Sequence, residues 1–131
     1  MEEALIRAIA RYGVAGWRSA GYTGVWVGDE PGVAGGTRKL ASIGVHARDW
    51  VTWHGFALNV ATELAYFDLI VPCGIAGVTM TSLRHELAGR APPLETVAAD
   101  AARAFGEVFG LAVDALPADR LTELLAHAAP R

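Results

Sequence analysis

Apolar residues recur at helical spacing at the start of the chain. Leu5, Ile9 and Tyr12 fall on one face and Gly13 follows as a stop, which predicts a helix over Glu2 to Tyr12. The pattern then changes to strand. Val25, Trp26 and Val27 are β-formers bounded by Gly24 and Gly28. The stretch GDEPGVAGGTR, residues 28–38, is dense in Gly and Pro and reads as a hairpin loop. KLASIGVHARDW alternates Leu40, Ser42 and Gly44 with Ala41, Ile43 and Val45, and VTWHGFALNV continues as strand and turn. The connections are too short for crossover helices, so antiparallel neighbours are expected. A short helix or turn is expected around Leu64 to Phe67. Ser82 is suited to cap a helix with Glu86 in its first turns, ended by Gly89 and the Pro92–Pro93 pair. Leu94, Val97, Ala101, Ala104, Phe105 and Val108 define one face of a longer amphipathic helix. A last helix starts at Pro117. Strands followed by helices indicate an α+β class.

At 131 residues, a single domain over 1–131 is the expectation. Hydrophobic residues make up 53%, ample for a packed core. The net charge is -3, with no basic run, so neither nucleic acid nor a charged membrane surface is expected as a partner. The apolar runs are broken before the ~18 residues that a membrane span requires. MEEALIRAIARYG starts acidic and stays amphipathic, unlike a secretory leader. One cysteine cannot form an internal disulfide, which fits a reducing, cytoplasmic compartment.

That cysteine, Cys73, lies between Pro72 and Gly74. A lone cysteine is more often a small core residue than a nucleophile. Pro-Cys-Gly is turn chemistry, however, and turns present side chains and backbone N–H groups that can stabilise an oxyanion. A thiolate needs a base or cation nearby, and the candidates are Lys39 and the histidines. Lys39 is the only lysine; it is either a surface charge at a strand end or a positioned cation. Lysine suits the second role because burial can make it give up its proton, whereas arginine stays charged. His54 reads as a hydrogen-bonded core histidine, with an accessory role at the site as the alternative. His46, His85 and His127 read as surface positions. No Cys/His or His/His pair has metal-ligand spacing, so no metal site is expected. GVAGGTRK lacks the order of a phosphate-binding loop, since Thr37 precedes Lys39 and no helix follows.

Three ordered runs carry a more specific signal. TGVWVG, then RKLASIGVHARDWVTWHGFALNV, then FDLIVPCGIAGVTMTSL resembles the octanoyltransferase family, also called lipoyl(octanoyl) transferase or lipoate–protein ligase B. The likeness covers Gly24 to Leu83 strongly and the flanking helices loosely. It implies the fold of the biotin/lipoate protein ligase catalytic domain, a mixed, largely antiparallel sheet with flanking helices. It implies transfer of an octanoyl group from octanoyl-acyl carrier protein to a lysine on lipoyl domains. The acceptors would be 2-oxoacid dehydrogenase subunits and the glycine-cleavage H protein. Cys73 would carry the acyl thioester and Lys39 would favour its thiolate. Ser42, Ile43, Gly44, Gly55, Phe56 and Ala57 would bind substrate.

The residues suit that chemistry. A thioester is already activated, so no cofactor is expected. Gly44 and Gly55 leave room for an acyl chain, and burying six methylenes contributes roughly 5 kcal/mol at about 0.8 per methylene. One departure stands out: the family's upstream half, with its R-G-G … T-Y-H-G-P-G-Q motif, has no counterpart here. The expectation is therefore a partial catalytic domain, with Val25, Ile43 and Phe56 facing a gap or solvent. Two alternatives stay open, an ATP-dependent lipoate ligase of the same fold and an inactive remnant or partner-requiring subunit. Cys73 in its P-C-G setting argues against the ligase.

Overall fold

The structure is a computed structural model that describes residues 1–29 and 36–128. Helix α1 (Glu2–Ala10) leads into strands β1 (Gly16–Ser19), β2 (Tyr22–Val27), β3 (Arg38–Arg48) and β4 (Val51–Leu58). A 3-10 turn over Leu64–Leu69 and a tight turn at Pro72–Gly74 precede β5 (Thr79–Met80), α2 (Leu83–Glu86), α3 (Leu94–Phe109) and α4 (Ala118–Ala128). The strand order is β1-β2-β3-β4, all antiparallel. Strand β5 adds a short parallel pairing to β3 at Arg38 and Lys39. This is the α+β arrangement that the sequence predicts. The loop expectation for residues 28–38 falls largely on 30–35, outside the described residues, and so does the side chain of His127. The neck of that loop is closed by Asp29 N–H on the Gly36 carbonyl and by Thr37 Oγ1 on the Asp29 carbonyl.

Helix α1 buries Ala4, Leu5, Ala8 and Ile9. Leu5 and Ile9 join Val14, Val25, Val27, Leu40, Ala41, Val60, Leu83 and Val97 in the core under the sheet. Ala4 and Ala8 meet Ala101 and Ala104 of α3, and these small side chains let the two helices come close. Tyr12 Oη donates to Asp100 Oδ2 at 2.6 Å, and Arg11 and Arg103 also reach Asp100. A buried carboxylate thus sits on the helix face expected to be apolar, satisfied by three partners. At the start of that face Leu94 is 64% exposed, so the apolar face begins at Val97.

Alternation along β3 breaks where β3 meets β2. Val25 pairs with Ala41, but Trp26 pairs with Lys39, so the register shifts and Leu40 is the extra residue. Leu40 and Ala41, though adjacent, both reach the core. Val25 is fully buried there, contrary to the expectation that it faces a gap, because the β1–β2 hairpin folds down onto α1. Ile43 is half-buried against the core. From Gly44 onward the β3–β4 hairpin leaves the core, and Val45, Trp50, Val51, Trp53 and Phe56 are exposed. Its tip, Asp49–Trp50, has positive φ at both residues (52° and 63°), the geometry of a two-residue hairpin turn.

Candidate active site

Lys39 is 1% exposed, so it is not a surface charge at a strand end. Its neighbour Arg38 turns the other way, donating from Nε and Nη2 to the two carboxylate oxygens of Glu86 at 2.8 Å each. Thr81 Oγ1 also donates to Glu86, at 2.6 Å. The Arg38 guanidinium holds the Glu86 carboxyl below its ordinary range. Thr81 N–H donates to the Lys39 carbonyl at 2.9 Å, continuing the β5 pairing. Asn59, itself buried, binds Leu40 through its N–H, Thr81 through its side-chain amide and Leu83 through its carbonyl. Ser82 caps α2 by accepting from His85 N–H at 3.2 Å, as its sequence position predicts. The main chain around Lys39 is therefore held by β2, by β5 and by Asn59, while α2 holds the Arg38 side chain.

The Lys39 side chain runs to Cys73, with Nζ at 3.7 Å from Sγ. Ser42 Oγ lies 3.8 Å from the same sulfur. Cys73 is exposed, not a buried apolar residue. It sits in the left-handed region (φ 54°, ψ 21°), which costs a non-glycine residue about 1–2 kcal/mol. Gly74 follows, also left-handed. Gly74 N–H donates to the Val71 carbonyl and Ile75 N–H to the Pro72 carbonyl, both at 3.1 Å. Those two N–H groups are engaged within the turn, so they are not the oxyanion donors that the turn suggests. The sulfur instead has an ammonium and a hydroxyl beside it: the Lys39 ammonium donates to it, which favours a thiolate, and the thiol itself donates to Ser42 Oγ.

The other six candidates lie on one stretch of ladder, with the Ser42–Ala57 and Gly44–Gly55 rungs on the Cys73 face and the Ile43–Phe56 side chains on the opposite, core-side face. Ser42 pairs with Ala57, Ile43 with Phe56 and Gly44 with Gly55, three consecutive rungs of the β3–β4 ladder. They start at the Ser42 rung beside Cys73 and lead outward. At Gly44 and Gly55 a Cβ would meet no atom within 4 Å, so the third rung is bare backbone under open space. His54 occupies the fourth rung, opposite Val45. It is exposed with φ 74°, not a core histidine, because the hairpin has left the core by this point. His46 is exposed and stacks on Trp53, with ring centroids 4.3 Å apart. His85 is exposed as predicted. Among the described residues no group of three or more His, Cys, Asp or Glu side chains could hold a metal ion. None of their helices is long and apolar enough to cross a membrane.

Residues that sequence reasoning passed over are Gly24, Trp26, Asn59 and the Arg38–Glu86 pair. Trp26 carried a signal in its place within TGVWVG; the others depend on contacts between distant segments.

A family model described as the lipoyl protein ligase A/B catalytic domain matches residues 1–106. An octanoyltransferase of Acidobacterium capsulatum is 51% identical over 127 residues, covering 95% of this chain and 51% of the relative. One from Thermoanaerobacter pseudethanolicus is 40% identical over 121 residues, covering 92% and 49%. A third, from Koribacter versatilis, is 49% identical over 109 residues, covering 83% and 41%. The chain spans about half the length of the curated relatives it matches.

Proposed function

The chain belongs to the lipoyl protein ligase A/B catalytic-domain family, and on that premise we propose that it carries the acyl-transfer centre of an octanoyltransferase. Cys73 is the acyl acceptor and Lys39 the cation that favours its thiolate. The thiolate attacks the thioester carbonyl of octanoyl-acyl carrier protein, the carrier's thiolate leaves, and a new thioester forms at Cys73. The amine of a lipoyl-domain lysine then attacks that thioester, loses a proton, and expels the Cys73 thiolate as the amide forms. Both steps begin from an activated acyl group, so the reading needs no ATP. Lipoyl domains of 2-oxoacid dehydrogenase subunits and the glycine-cleavage H protein are the acceptors, and the cytoplasm is the compartment.

The observation that supports this reading is the 3.7 Å approach of Lys39 Nζ to an exposed Cys73 sulfur. Ser42 Oγ, at 3.8 Å, accepts from the Cys73 thiol and holds the sulfur beside the Lys39 ammonium. The Ser42–Ala57 and Gly44–Gly55 rungs are the floor for the octanoyl chain, the glycine rung giving clearance, while Ile43 and Phe56 between them contribute backbone and turn their side chains to the other face. His54, one rung further out, is an accessory contact. The ATP-dependent ligase alternative leaves this lysine–thiol pair without a task.

Intact-mass measurement tests the proposal. The chain incubated with octanoyl-acyl carrier protein gains one octanoyl group on Cys73, and added lipoyl domain removes it. Cys73→Ser lowers adduct formation by about 10^3-fold or more, as expected for loss of a nucleophile. An equally fast octanoyl adduct on the Cys73→Ser protein sinks the assignment.

A further inference from the structure

Lys39 poses an electrostatic problem that its role at Cys73 does not solve. Its side chain is buried, and a buried ammonium normally has a carboxylate partner. Among the described residues no ion pair to Lys39 is found. The nearby acidic groups are engaged elsewhere: Glu86 on α2 holds Arg38, and Glu2 on α1 accepts from Gly24 N–H at 2.9 Å. What faces Lys39 Nζ, apart from Cys73, is the ring of Trp26, with its centroid 5.1 Å away.

That arrangement is built, not incidental. The register shift between β2 and β3 sets Lys39 directly opposite Trp26, on the same face of the sheet. Gly24, two residues before Trp26, lies on that face too. A Cβ there would fall 2.8 Å from Lys39 Cε and 2.5 Å from the Ala41 carbonyl oxygen. The lysine stem therefore lies across bare backbone. The indole is fixed in turn: its Nε1–H donates to the Tyr22 carbonyl at 3.1 Å, Trp17 stacks on it and the Tyr22 ring meets it edge-on. Trp26 is 5% exposed, so its π-face is shielded from water, where attraction for a cation is strongest.

We propose that Trp26 is a positioning residue of this site, its indole face holding the Lys39 ammonium aimed at the Cys73 sulfur, with Gly24 providing the channel for the lysine stem. The inference rests on the lysine–thiol assignment above but makes a separate claim. Without the ring, the buried ammonium loses the one compensating neighbour found among the described residues besides the thiol. It then leaves the sulfur, and Cys73 loses the cation that assists its reaction as a nucleophile.

The test is the rate of Cys73 alkylation by iodoacetamide as a function of pH, a readout that involves no acyl substrate. The proteins compared are the parent, Lys39→Met, Trp26→Phe and Trp26→Leu, each checked for a native circular dichroism spectrum. Trp26→Leu is expected to lower the rate at pH 7 roughly three- to tenfold and move the profile to higher pH. Trp26→Phe, which keeps a ring, is expected to lose less. Adding Lys39→Met to Trp26→Leu should have little further effect. If Trp26→Leu does not fold, the parent grown with fluorinated tryptophan replaces it; fluorine drains the ring face of charge at nearly unchanged shape, and the same slowing is expected. A Trp26→Leu or fluorinated profile that overlays the parent's, while Lys39→Met moves it, overturns this inference and leaves the lysine–thiol assignment standing. A Lys39→Met profile that does not move overturns both.

Discussion

Lys39 Nζ and Cys73 Sγ stand 3.7 Å apart, although 34 positions separate them in the chain. The lysine is buried and the cysteine exposed, so the cation approaches the sulfur from beneath and leaves its outer side open. Lys39→Met removes the cation and keeps most of the stem's volume. It is expected to slow Cys73 alkylation at pH 7 about tenfold. Stopped-flow alkylation over pH 6 to 10 checks this, and an unchanged profile removes Lys39 from the role.

The bare rung at Gly44 and Gly55 separates acyl binding from thiol chemistry. A leucine at 44 meets no atom at its Cβ, so the fold tolerates it, yet its side chain covers the floor where the octanoyl tail would lie. Gly44→Leu is expected to cut octanoyl transfer by about 10-fold or more, the loss of two or more buried methylenes, with the iodoacetamide rate unchanged. Equal transfer rates for the two proteins would show that the chain lies elsewhere.

Glu86 ties α2 to β3 through Arg38 and to β5 through Thr81. Its carboxyl is held low chiefly by the hydrogen-bonded Arg38 guanidinium. A depressed carboxyl contributes stability above its unfolded value of about 4.3, and that contribution is lost as pH falls through the lower, folded value. Glu86→Gln is expected to cost about 1–3 kcal/mol at pH 7, read from urea denaturation. The gap to the parent should close as the medium is acidified below pH 4; a gap that persists there would mean that charge is not the cause.

Tyr12 gives the opposite limb. Burial, with the hydrogen bond to Asp100, pushes its hydroxyl up to about 12. The fold thus prefers the neutral phenol, so this contribution is complete below the unfolded value near 10 and is lost as pH rises through about 12. Asp100 is held low, first by Tyr12 and also by Arg11 and Arg103, and loses its contribution in acid. Tyr12→Phe is expected to cost about 1 kcal/mol at pH 7 and to flatten the alkaline decline of the melting temperature. An alkaline decline as steep as the parent's would exclude Tyr12 as its source.

The helices and the antiparallel sheet were legible because periodicity and turn residues are local signals. Val97, Ala101 and Ala104 announce the face of α3 that meets α1. Leu94 misleads because the same spacing continues one turn beyond the surface that α1 covers. Asp100 misleads in the other direction, since its partners Tyr12 and Arg11 lie at the far end of another element. In the site, Cys73, Lys39 and the six rung residues could be singled out through the resemblance of three motifs. The pairing of Trp26 with Lys39 could not, because it follows from a one-residue shift between two strands. Nor could the exposure of His54: a histidine between Trp53 and Gly55 looks like core until the hairpin is seen to leave it.

The bond from Thr81 N–H to the Lys39 carbonyl changes how far Cys73 can wander. Measured along the chain, the sulfur is leashed to the lysine by 34 residues. Measured through that bond, the leash is 8 residues, since 81 − 73 = 8. Closing a ring of 8 instead of 34 lowers the entropic cost of bringing the two groups together by about 1 kcal/mol, from the logarithmic dependence on loop length. The two-residue strand β5 therefore acts as a knot that shortens the tether. A cut in the backbone between Gly74 and Val78 would leave every atom of the pair intact and still let the thiol drift from its cation.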